Sequence, residues 1–132
     1  MTKKTYTLTM SEEQAQVVVR ALDLYTRIGI GQFEEILRVY DPLSETWGSG
    51  HQFALEYIGE IKAQAGHPMN GSHGIHHPEV RDEFRAAYDV QQVIRNRIAF
   101  DQNPEGGMGV AFDTPRAISQ LPLPTIKSEE TL

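Results

Sequence analysis

The stretch GHPMNGSHGIHHPEV, residues 66–80, gathers four of the chain's five histidines and three of its eleven glycines. Neutral imidazoles are ligands for zinc, nickel or iron. His73, His76 and His77 form an H-x-x-H-H pattern with His67 upstream, and Asp82 and Glu83 are carboxylates able to complete a ligand set. The helical zinc signature differs, because it sets two histidines four apart on one helix with a glutamate between them. No metal or cofactor is therefore assigned, although a metal site and a plain polar connection both stay open.

Anion binding suits the spacing better. Asn70, Gly71, Ser72 and Gly74 are small and leave backbone N–H groups accessible. The loop runs into a helix expected to begin at Pro78, and a helix N-terminus favours negative charge. His73, His76 and His77 can donate to phosphate oxygens, while Arg81 and Arg85 lie one and two turns into that helix. Arginine clamps phosphate through charge-assisted hydrogen bonds. Arg27 and Gln32 flank the Gly29-Ile30-Gly31 break and are further ligand-binding candidates, contributed by a neighbouring subunit. For Arg27, an ordinary ion pair with Asp23 is the competing reading. There is no G-x-x-x-x-G-K-[ST], no dinucleotide fingerprint, no G-x-S-x-G, no H-E-x-x-H and no cysteine. No catalytic residue is assigned, and the paired acids Glu34-Glu35 and Asp82-Glu83 read as solvated helix faces.

The elements that must position these residues follow from periodicity. Residues 4–10, KTYTLTM, alternate apolar and threonine side chains and predict a half-buried strand. Ser11 and Gln14 form the S-x-x-Q capping box that opens a helix at Glu12. Ala15, Val18, Leu22 and Tyr25 make one stripe on it, and Val17, Ala21, Leu24 and Ile28 a second. Two stripes suit a helix covered on both sides, or one that also meets a second subunit. Gly29 and Gly31 break this helix, and Phe33, Ile36, Leu37 and Tyr40 resume the spacing up to Asp41-Pro42. Residues 43–50, LSETWGSG, read as a loop, and residues 51–65 as a helix with Ala54, Ile58, Ile61 and Ala65 on one face.

After the histidine loop, a helix over residues 78–98 turns Val80, Phe84, Ala87, Ile94 and Ile98 inward. Gln91 shares that face and Arg95 lies beside it, so each needs a partner or a ligand. Residues 98–102 and 108–113 flank NPEGG and predict a hairpin that joins the N-terminal strand. The expected fold class is α+β, mainly helical with a small antiparallel sheet. Residues 1–120 form one compact domain, followed by an extended tail over residues 121–132.

The bulk properties bound the function. The chain has 132 residues, 39% apolar and 23% charged, with a formal net charge of −6. That size fits one domain, and the acidic balance argues against a nucleic acid polymer as partner. It leaves room for a small anionic ligand held by a few local arginines. The absence of cysteine excludes disulfides and thiolate metal sites. No apolar run reaches the roughly 20 residues of a membrane span, and MTKKTYTLTM lacks a signal-peptide pattern, so a cytosolic protein is expected.

SEEQAQVVVRALDLYTRIGIGQFEEI, HGIHHPEVRDEF and the closing NPEGG…FD resemble small accessory proteins of tailed bacteriophages. That resemblance implies the cytoplasm of a bacterial host. Among such proteins are anti-defence sponges, directed against Thoeris and CBASS, which bind cyclic nucleotides or cyclic ADP-ribose derivatives in symmetric oligomers without cleaving them. No binding residue is carried over from them. What the resemblance implies is a homo-oligomer that sequesters an anionic cyclic nucleotide without catalysis. The alternatives are a protein-interaction module that inhibits a host protein, and a metal-dependent hydrolase built on the histidine loop.

Overall fold

The computed structural model describes residues 3–40, 50–69 and 71–130. Its elements are α1 (Glu12–Gly29), α2 (Glu35–Tyr40), α3 (His51–Gln64), α4 (Asp82–Gln102) and a short 3-10 turn (Val110–Phe112). Among the described residues there is no strand, so the α+β expectation is wrong and the chain is helical there.

The capping box forms as the sequence predicts: Ser11 Oγ accepts from Gln14 N at 3.1 Å, and Gln14 Oε1 accepts from Ser11 N at 2.9 Å. α1 packs against α4, which runs antiparallel to it. Gln102 of α4 reaches Glu12 at the start of α1, while Thr26 near its end faces the Phe84 carbonyl. Ala15 and Thr26 are the buried residues of α1, and Val17 and Tyr25 stay exposed. α2 covers another part of α1, seating Leu37 in the core.

The predicted hairpin fails because residues 98–102 continue α4. Ala99 is buried within α4, and the Phe100 ring meets Phe112 edge-on at 5.2 Å. Helical packing therefore overrides the β-like composition of this segment. Residues 4–10 have no regular secondary structure and are mostly exposed, with no ladder partner once the hairpin is absent. The other end of α4 also moves. Residues 75–80 form turns, Arg81 is extended at φ −68° and ψ 145°, and the helix starts at Asp82 rather than Pro78.

Polar residues on α4 fasten the chain that follows it. Asp89, only 2% exposed, accepts from the backbone N–H groups of Ile118 and Ser119 at 2.9 and 3.0 Å, and from Ser119 Oγ at 2.7 Å. Gln92 binds both the N–H and the carbonyl of Arg116, and Asn96 Nδ2 donates to the carbonyls of Ala111 and Asp113. Gln120 N donates to Asp82. Residues 111–120 thus run back along α4 as a strap whose backbone groups are paired by side chains instead of by a sheet. Gln91 has its partner in Asp23 at 3.3 Å, whereas the buried Arg95 Nε has no hydrogen bond.

No helix is long and apolar enough to cross a membrane among the described residues. The predicted loop with Trp47 lies outside the described residues apart from Gly50.

Candidate functional site

The two glycines that end α1 are seats for rings. A Cβ on Gly29 would lie 2.1 Å from the Phe84 ring, and one on Gly31 would lie 2.5 Å from the His67 ring. Gly31 also adopts φ +97°, a conformation that side chains with a Cβ disfavour. Between them, the Ile30 carbonyl accepts from His73 N at 2.8 Å. The break flanked by Arg27 and Gln32 is thus the dock for the histidine loop and for the first turn of α4.

Arg85 completes the docking. Its Nε donates to the Ile75 carbonyl and its NH2 group to the His77 carbonyl, both at 2.8 Å, with Asp82 3.7 Å from NH1. The guanidinium holds the loop's shape and is no free anion clamp. Arg27 is similarly occupied by Asp23 at 2.9 Å and by Gln32 Oε1 at 2.8 Å, which also engages Gln32. The competing reading of Arg27 is the one the geometry favours. Asn70 lies outside the described residues, and His76 is exposed.

The docked loop brings three imidazoles together. His67 Nδ1 and His73 Nδ1 are 3.1 Å apart, and the His73 and His77 rings stack at 4.1 Å with 16° between their planes. His67 also meets Phe33 edge-on at 5.5 Å. Burial pushes the His67 pKa down, and the neighbouring His73 and Lys62 push it further in the same direction. His77 Nδ1 accepts from Glu79 N at 3.1 Å, and Glu79 Oε2 stands 3.9 Å from His73 Nε2.

Behind the loop, Lys62 is 1% exposed and its Nζ donates to Glu34. Glu34 is therefore the counterion of a buried lysine, and Glu35 lies beside Arg27 and Arg38. Asp82 likewise carries structural bonds, while Glu83 pairs with Arg81 at 2.6 Å. The solvated-face reading of these acids is too simple.

A cleft of about 470 Å³ opens over Phe84, between the ends of α1 and α3 and the histidine loop. Ile28, Ala65 and Phe84 give it an apolar side, and His67, His73, Glu79 and Arg81 a polar one. Arg81 sits at the mouth with its side chain 71% exposed, its guanidinium carbon 5.0 Å from the Phe84 ring centroid. Of the eight sequence candidates, the cleft wall contains His73 and Arg81, while His77 stacks behind His73. Sequence reasoning did not assign His67, Glu79 and Phe84 to the site. Their one sequence signal was proximity to the histidine cluster, because the glycine seats are tertiary contacts.

No protein-family model, curated protein or solved structure matches this chain.

Proposed function

We propose that the chain is a non-catalytic binding protein that captures a small anionic nucleotide in the cleft over Phe84. In this reading it sequesters a cyclic nucleotide immune signal in the cytoplasm of a phage-infected bacterium. The observation that carries the ligand class is Arg81 at the cleft mouth, above an aromatic floor and beside two imidazoles. An apolar wall suits a base, and a guanidinium with imidazole donors suits phosphate. Arg81 is held mainly through the half-exposed Glu83, an exposed pairing that a phosphate can replace at little cost. Calorimetric titration with cyclic di- and trinucleotides and cyclic ADP-ribose isomers tests this reading. Micromolar binding, with the ligand recovered intact, supports it; a panel with no binder removes it.

Assembly is part of the proposal, and it also frames a second reading. Phe53, Tyr57 and Ile61 recur at i, i+4 and i+8 on α3 and are 64%, 66% and 57% exposed. Among the described residues, α3 packs on no other helix. An apolar stripe of this kind marks a contact surface, occupied here by a second copy of the chain or by a host protein that the chain inhibits. Light scattering separates the two. An oligomer that Ile61→Glu converts to monomer supports self-assembly, whereas a monomer throughout favours a host partner.

A further inference from the structure

We infer that His73, Glu79 and His77 form a site for a first-row divalent metal such as zinc, nickel or cobalt. One donor atom from each lies within 4.8 Å of the others. The pair that faces most directly is His73 Nε2 and Glu79 Oε2, 3.9 Å apart. That gap is too long for a hydrogen bond in either tautomer of His73. Two metal bonds of about 2.0–2.2 Å span about 3.4 Å at a tetrahedral angle, so the gap closes onto a cation with a shift of about half an ångström.

The surroundings prepare the ligands. His73 Nδ1 lies 3.1 Å from His67 Nδ1, so the tautomer that donates there keeps a bare Nε2 lone pair toward Glu79. Metal-bound histidines usually donate their second ring N–H in this way, which fixes tautomer and orientation. His73 cannot drift, because its backbone N–H is bonded to Ile30 and the loop is clamped by Arg85. His77 joins by opening its stack on His73, and coordination through Nδ1 would also release that atom from the Glu79 amide. Two imidazoles and one carboxylate suit zinc, nickel, cobalt or copper over magnesium or calcium, which prefer all-oxygen sets. Three protein ligands leave open positions for water or for a ligand oxygen.

The inference stands whether or not a nucleotide enters the cleft. It also bears on that reading, because Glu79 is the cleft group that repels an anion and a bound dication would reverse the effect. The test is titration of chelator-treated, untagged full-length protein with Co²⁺, followed by visible absorption and equilibrium dialysis. One Co²⁺ per chain at micromolar concentration is expected, with a d–d spectrum of the intensity that four- or five-coordination gives. His73→Ala and Glu79→Gln should each weaken binding by more than about tenfold, and His76→Ala should leave it unchanged. Glu79 has an exposed side chain, so Glu79→Gln guards against a folding artefact. No stoichiometric Co²⁺, or equal loss in His76→Ala, overturns the site.

Discussion

Asp89→Ala is expected to lower the free energy of unfolding by about 3 kcal/mol, read by urea denaturation. The carboxylate is buried and accepts from Gln92, from two backbone amides and from the Ser119 hydroxyl. Alanine leaves the Ile118 and Ser119 N–H groups facing a void on α4, and each buried unsatisfied group costs about 1–3 kcal/mol. Some of these groups lie near the surface, so water recovers part of the loss. Asp89→Asn keeps one acceptor oxygen and should fall about halfway. Amide hydrogen exchange at Ile118 and Ser119 should quicken in both variants. A loss in Asp89→Ala below about 1 kcal/mol would mean that the strap is held by something other than this carboxylate.

Gly31→Ala is expected to cost about 2–5 kcal/mol and to undock the histidine loop. The substituted residue must adopt φ +97°, which costs about 1–2 kcal/mol for an L side chain. Its Cβ would also lie 2.5 Å from His67 Nδ1 and 2.7 Å from Cγ, so the ring itself must move. Forced overpacking of this kind adds about 1–3 kcal/mol. Displacing His67 breaks its contact with His73 and draws the loop off the Ile30 carbonyl. Imidazole resonances of His67 and His73 are the readout, and unchanged spectra with unchanged stability would contradict the seat.

Much of the helical frame was legible in the sequence. Ser11 with Gln14 marked the start of α1, the paired glycines marked its end, and Phe84, Ala87 and Ile94 marked the core face of α4. These signals are local, and tertiary packing agrees with them. The hairpin misled because residues 98–102 contain β-formers, yet in α4 Ala99 is buried and Phe100 packs on Phe112. The strap was hidden for a related reason. Asp89, Gln92 and Asn96 sit three and four apart on α4, a spacing that reads equally well as a polar helix face. Only the returning chain shows that they pair with backbone.

The candidate site was half legible. The histidine cluster was visible as composition, and its loop does become a structured unit. Which cations are available was not visible, since Arg27 and Arg85 are engaged by groups near in sequence and in space. Arg81 stands apart because Phe84, seated on Gly29, provides the surface beneath it.

Titration of the full-length protein and of Arg81→Ala with the same cyclic nucleotide panel bears hardest on the cleft. Arg81 is exposed at the rim and its loss should leave the fold intact. Wild type is expected to bind one member of the panel at micromolar concentration, and Arg81→Ala to bind it about tenfold or more weaker, as loss of a charge-assisted phosphate contact predicts. Equal affinity in the two proteins, or no binding in either, would contradict a nucleotide site over Phe84.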